Sequence, residues 1–440
     1  MTEPFRLPGL TRRHLLSRRT WRRRVVFWLG ALIVGLLSVF FAEAANACQR
    51  LFGEAVARVG WLPIVATPAG FVLSAFLTRT VFKGAQGSGI PQAIAARTLR
   101  SSQDRRRLLS IRLVVGKIAL TLLGLLTGAS VGREGPTVQV GAGVMLEVAG
   151  WGGLRHERGL ILAGSAAGIA AAFNTPLAGI VFAIEEMSRS FEQRTNGLVL
   201  YAVIIAGLVS LGLVGNYSYF GSTSDTATTA LDWVLVVVCG VVGGLLGGAW
   251  SRLLLEGSRL LRRRAASLGR GLLLALACGL VVALIGLATD GATFGTGYAQ
   301  ARGAVEGGAL GFLFWPAKFA ATLVTAWSGI PGGIFAPSLA VGAGFGSWLG
   351  EAAGAHALGF VAVIGMAGYF AGVVQAPITA FVIILEMTGN NANVIPLMLA
   401  AVLGFGASKL VAPEPLYHGL AQAFIAEARK REKEADQAGG

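Results

Sequence analysis

The chain has 440 residues, 54% of them hydrophobic and only 13% charged, with a mean hydropathy of +0.66. Soluble globular chains carry about 25% charged residues, so the composition excludes a water-soluble domain and implies a membrane protein. The formal charge of +15 would suit a nucleic-acid binder, but no soluble stretch is long enough to host one.

Along the chain, residues 1–24 form a basic segment, and the apolar run Val25–Ala42 follows. That run has full transmembrane length, so it reads as a retained span rather than a cleaved leader. Val25–Ala42, Trp233–Trp250, Gly271–Ala288 and Phe360–Ile384 each approach the ~20 apolar residues that cross a hydrocarbon core. Cations fall in blocks between apolar segments, at Arg12–Arg24, Arg97–Arg112, Arg252–Arg270 and Arg429–Lys433. By the positive-inside rule both termini are expected in the cytoplasm. Residues 25–428 form one transmembrane domain, with repeat halves of about 25–215 and 230–428, and residues 429–440 a short cytoplasmic tail. Glycine makes up 63 of the residues and lies inside apolar segments, where small residues allow close helix approach and helix breaks. Many short, broken helices are therefore expected. Cys48, Cys239 and Cys278 give no disulfide framework, the four histidines (His14, His156, His356, His418) are scattered, and no metal or cofactor is implied.

The two halves repeat at an offset of 201 residues. Lys117 pairs with Lys318, and Pro136-x-x-x-Val140-Gly141-Ala142-Gly143 with Pro337-x-x-x-Val341-Gly342-Ala343-Gly344. Gly164, Pro176 and Glu185 pair with Gly365, Pro377 and Glu386. Transporters are often built from such repeats, with broken helices meeting near the midplane. The offset leaves open whether the second half is inverted.

Three Gly-Pro clusters stand where helices should begin: Gly87-Ser88-Gly89-Ile90-Pro91, Gly132-Arg133-Glu134-Gly135-Pro136 and Gly333-Ile334-Phe335-Ala336-Pro337. Proline suits the first turn of a helix. Helix N-termini carry unpaired N–H groups and a partial charge of about +0.5, so several aimed at one point form an anion site. An ion held by dipoles alone can leave again, as transport requires.

These clusters resemble the signature stretches of the CLC chloride channel and transporter family, and the resemblance runs from about Val25 to Ile425. It implies an all-α integral membrane fold in two inverted halves of tilted and broken helices. It further implies a homodimer in the lipid bilayer, with one pathway per subunit, that exchanges chloride for protons. On this resemblance Ser88 and Tyr417 offer hydroxyls to the anion, and Gly89, Ile90, Gly135, Ile334 and Phe335 offer backbone. Ser88 is the chloride-type residue, since nitrate-preferring members tend to carry proline there and the fluoride branch departs at the Ser and Tyr positions. No cytoplasmic nucleotide-binding domain is expected after Tyr417, and a bacterial inner membrane is the expected location.

Glu134 is the first candidate for a coupling residue. A carboxylate at a helix N-terminus accepts the same N–H groups as an anion, so it competes with chloride until a proton neutralises it. Burial raises a carboxylate pKa and helix dipoles lower it, and the sequence leaves that balance open. Glu185 and Glu186 close the apolar run Asn174–Met187, and acids inside a membrane usually serve function. By resemblance Glu186 is the inner proton acceptor and Glu185 a supporting neighbour. Glu386, the repeat mate of Glu185, is expected to bond backbone N–H groups. Lys117 is read as a distant positive charge or a packing residue, and Arg133 as a local partner. A passive gated chloride channel is the alternative reading. A membrane-embedded enzyme lacks the H-E-x-x-H or G-x-S-x-G pattern it would need.

Overall fold

The computed structural model describes residues 18–153, 157–188, 193–215, 218–389 and 391–438. Residues 1–17 of the basic N-terminal segment, His14 and His156 lie outside them. The first half comprises α1 (Arg18–Arg58), α2 (Leu62–Thr80), α3 (Ile90–Thr98), α4 (Ser102–Leu109), α5 (Ile111–Leu126), α6 (Glu134–Gly152), α7 (Glu157–Phe173), α8 (Pro176–Phe182), a π-helix (Ala183–Ser188) and α9 (Gln193–Val214). The second comprises α10 (Ala230–Arg264), α11 (Leu268–Ala288), α12 (Tyr298–Val305), α13 (Phe314–Trp327), α14 (Phe335–Ala352), α15 (Leu358–Val374), α16 (Pro377–Thr388), α17 (Val394–Val411) and a final α18 (Leu416–Ala438). Among the described residues, seven helices are long and apolar enough to cross a membrane. The charged C-terminal segment continues α18 without a break to Ala438.

Local chemistry sets many of these boundaries. Thr229 and Asp232 form a reciprocal capping box at the start of α10, satisfying N–H groups that a helix leaves unpaired. Ser101 and Ser267 cap α4 and α11 with their side chains. The run Phe360–Ile384, expected to cross as one span, is instead two helices. Gln375 takes a left-handed conformation (φ 57°) and Pro377 opens α16. Its repeat mate Asn174 has the same φ of 57° ahead of Pro176. Hydropathy does not register such a break, because both flanks are apolar. α15 is buried from Gly359 to Val374, so its backbone is covered by protein rather than lipid, as a broken helix in a membrane requires.

Small residues bring the helices together. A Cβ on Gly244 of α10 would run into the backbone of Gly404 on α17, and one on Gly247 into the Tyr369 carbonyl of α15. The pairs Gly141·Gly164 and Gly342·Gly365 repeat one close approach in both halves, between α6 and α7 and between α14 and α15. Van der Waals contact between small residues replaces the hydrophobic driving force that lipid removes.

The halves are related by a pseudo-two-fold axis. Reciprocal contacts between repeat mates mark the axis. Gly132 N–H donates to Gly333 O and Gly333 N–H to Gly132 O, both at 2.7 Å. Glu386 accepts from the N–H groups of Leu177 (3.0 Å) and Ala178 (2.6 Å), and Glu185 from those of Ile378 (3.1 Å) and Thr379 (2.6 Å). Each half thus caps a helix of the other. The loop before α3 also has a mate, because Gly89 (φ 103°) and Gly297 (φ 76°) precede α3 and α12. Their offset is 208 residues rather than 201, so the first half is longer in the stretch up to Lys117, which contains α4.

Candidate functional site

The three Gly-Pro clusters all open helices, α3, α6 and α14, and their N-termini converge. A Cβ on Gly89 would sit 2.9 Å from Gly135 O, and one on Gly135 would collide with the Ser88 hydroxyl. A Cβ on Gly333 would lie 3.0 Å from both Gly132 O and Gly135 N. These glycines therefore let three helix ends approach within a single backbone thickness. The Gly87 loop is pinned to the Pro331 loop by Gly332 N–H donating to Gly87 O at 3.1 Å. Ile334 and Phe335, at the start of α14, are buried beside the junction.

A fourth helix start completes the cluster. Tyr417, on the first turn of α18, stacks on Phe335 with ring centroids 6.0 Å apart. Its hydroxyl lies beside that of Ser88 and within the electrostatic reach of Glu134 and Glu186. Neither the Ser88 nor the Tyr417 hydroxyl makes a protein hydrogen bond of good geometry, though both are buried. Buried hydroxyls normally find partners, so two orphaned ones facing each other at a meeting of helix N-termini make a binding position for a small acceptor ligand. Phe335 is packed by Phe182, Phe370 and Phe173 as well, which walls the position with apolar rings.

Glu134 is fully buried. Its carboxylate lies over Gly132, where a Cβ would strike it. Its polar surroundings are the Arg133 guanidinium and the backbone N–H groups of Arg133, Glu134 and Ala336. Both carboxylate oxygens are buried without a protein hydrogen bond of good geometry, close to the backbone that opens α6 and α14.

The two adjacent acids of the first half part company on the π-helix. Glu185 turns to the N-terminus of α16, as described above. Glu186 is buried, lies in the field of Tyr417, and has His418 Nδ1 3.5 Å from its Oε1. In the second half the equivalent stretch is regular α-helix, and the mate of Glu186 is the buried Met387. Single-turn π segments recur at functional positions, and here one aims two neighbouring carboxylates at different targets. Glu185 sits away from the anion position, with both oxygens engaged.

The cationic candidates are more distant. Lys117 is buried and donates to the carbonyls of Ala85 and Gly87, so it fastens the loop that carries Ser88. Lys318 does the same for Thr293 (2.9 Å) and Gly295 (2.7 Å). Arg133 reaches away from the anion position to Ala42 O and to Asn46 Oδ1 (2.9 Å), and lies over the Tyr219 ring. A cavity of about 860 Å³ leads to Ser88 and Ile334, and Arg79, Lys83, Arg107, Arg262 and Arg431 line it with Asp104 and Glu427. Three of the basic blocks thus converge on one mouth. In the sequence those blocks signal topology alone, and their convergence on one cavity is visible in the structure. His418 was not among the sequence candidates, and its signal was its place directly after Tyr417. Among the described residues no His, Cys, Asp or Glu cluster could hold a metal ion.

A model of the family described as voltage gated chloride channel matches residues 69–409. The H(+)/Cl(-) exchange transporter ClcA of Salmonella typhimurium is 31% identical over 350 residues, covering 75% of this chain and 72% of that protein. ClcA of Salmonella agona gives 31% over 351 residues with the same coverage. Among solved structures, a slow cyanobacterial Cl-/H+ antiporter superposes with a TM-score of 0.78 at 25% identity, over 92% of this chain and 98% of that one. A CLC-type fluoride/proton antiporter gives 0.75 at 24% identity, over 89% and 96%. A eukaryotic CLC transporter gives 0.74 at 23% identity, over 91% and 74%.

Proposed function

The chain belongs to the voltage-gated chloride channel family, and on that footing we propose that it exchanges chloride for protons across a membrane. The observation that carries this reading is the placement of a buried carboxylate, Glu134, at the same helix ends that flank the orphaned hydroxyls of Ser88 and Tyr417. Chloride is drawn into the basic cavity and binds between the two hydroxyls and the backbone N–H groups of Ile334 and Phe335. Ionised Glu134 blocks the next position by taking its N–H donors. Protonation removes that charge, the side chain leaves, and a second anion takes its place. Proton arrival and anion passage thus become alternatives at one set of dipoles.

Glu186 supplies the proton from the other side of Tyr417. Its presence, and the exchangers among the relatives, favour coupled exchange over a passive channel, and transport over catalysis. Convergence of Arg107, Arg262 and Arg431 on one cavity supports a single basic face, which the positive-inside rule assigns to the cytoplasm. Residues 25–428 act as one transmembrane unit in this reading, in a bacterial inner membrane and as a homodimer. The test is proton uptake into liposomes driven by an outward chloride gradient, against a proton gradient. A coupled exchanger pumps protons uphill, and chloride flux without uphill proton movement would leave the channel reading standing.

A further inference from the structure

Tyr417 and His418 are consecutive residues on the first turn of α18, and neighbours on an α-helix point about 100° apart. Tyr417 turns to Phe335 and Ser88. His418 turns instead to the π-helix, where its Nδ1 lies 3.5 Å from Glu186 Oε1. The Glu186 side chain is 6% exposed and that of His418 is 21% exposed. The imidazole therefore stands between solvent and a carboxylate that solvent barely reaches. Neither residue lines the basic cavity through which anions approach Ser88, so the contact lies off the anion route.

We propose that His418 loads Glu186 with its proton. The idea rests on the assignment of Glu186 as the inner proton acceptor. Imidazole suits the task because it gains and loses a proton between about pH 5 and 8, and because its two nitrogens can face different partners. A water-borne proton binds Nε2 of the ring protonated at Nδ1, and the Nδ1 proton passes to Glu186 Oε1. The ring left with hydrogen on Nε2 returns to its first tautomer by exchange with water. One proton moves and no electron does. The charged or titratable groups around the pair set its field. Arg97 of α3 donates to the Met187 carbonyl next to Glu186, and Glu185 is held by α16. From α10, Arg259 pairs with Glu414, which lies against Gly419 next to His418, and Tyr417 shares the field of Glu186.

The experiment compares wild type, His418→Asn, His418→Gln and Glu186→Gln in liposomes, following proton and chloride flux as the pH on the basic face varies from about 5 to 8. Both His418 variants should slow coupled exchange about tenfold near neutral pH, a modest share of what a positioned acid–base group contributes. They should keep the chloride-to-proton ratio, approach wild type at the acid end where hydronium is plentiful, and recover when imidazole is added. Wild-type rates across the whole range would overturn the proposal. So would a loss that is equal at every pH and indifferent to imidazole, since that marks His418 as a packing residue. Glu186→Gln separates the two readings. If it still pumps protons, the assignment of Glu186 fails. If it stops protons while both His418 variants match wild type, this inference alone fails.

Discussion

Removing the Glu134 carboxylate should convert a gated, coupled pathway into an ungated, uncoupled one. Glu134 is fully buried against the N–H groups of α6 and α14, so its charge acts with little solvent screening. Two like charges about 4 Å apart repel by roughly 4 kcal/mol at an effective dielectric of about 20. With about 1.4 kcal/mol per decade, that is up to roughly a thousandfold in the occupancy of an adjacent anion. Glu134→Gln keeps the shape and deletes the charge, and Glu134→Ala also empties the space. Chloride titrated calorimetrically should bind both variants more tightly or with higher stoichiometry than wild type. In wild type, lowering the pH neutralises Glu134 and frees the pathway, so chloride flux should rise towards acid. In both variants the flux should persist and lose that slope, and proton transport should vanish. Proton-coupled flux surviving in Glu134→Ala would refute the whole argument, because no group would remain to exchange places with chloride.

Glu186→Gln should stop proton movement while chloride still passes, measured as uphill proton uptake in liposomes, and uphill pumping by the variant would count against it. Ser88→Pro should raise nitrate transport relative to chloride, and an unchanged flux ratio would place Ser88 away from the ion. Glu185→Ala and Glu386→Ala should each lower thermal stability by a similar amount, since hydrogen bonds to a charged group contribute about 1.5–3 kcal/mol. Thermal unfolding in detergent measures this, and a loss confined to one of the pair would contradict the two-fold relation. Glu185→Gln should lower stability while leaving the coupling ratio unchanged, and a changed ratio would give Glu185 a place in the proton route.

The helix starts at Ile90, Glu134 and Phe335 were legible because glycine and proline act locally, and the 201-residue repeat because its markers are spaced without gaps. The meeting of helix ends proposed as the anion position rests on these same starts. What lay beyond the sequence depended on direction and on distant partners. The break at Gln375 sits inside a continuous apolar run, where neither charge nor hydropathy changes. Glu185 and Glu186 are chemically identical neighbours, and the turn of the π-helix separates their roles. The offset left open whether the halves are inverted. The reciprocal bonds of Gly132 with Gly333, and of Glu185 and Glu386 with each other's helices, display the two-fold relation directly. His418 acquires meaning from Glu186, which the chain brings to it from the opposite half.

The mutual capping of α8 and α16 has a consequence for how this architecture can change. An interface in which each partner gives what it receives is the kind found between identical subunits. Here it is frozen inside one polypeptide. Fusion removes the obligation of the two copies to stay alike. The fastenings, Lys117 with Lys318 and Glu185 with Glu386, remain matched because each secures a backbone both halves need. The positions assigned here to ion handling differ between the halves, Glu134 against Phe335 and Glu186 against Met387. A carboxylate opposite an aromatic ring, and another opposite a thioether, give a doubled scaffold two chemically different halves. Symmetry supplies the frame, and its local loss leaves each half with its own chemistry.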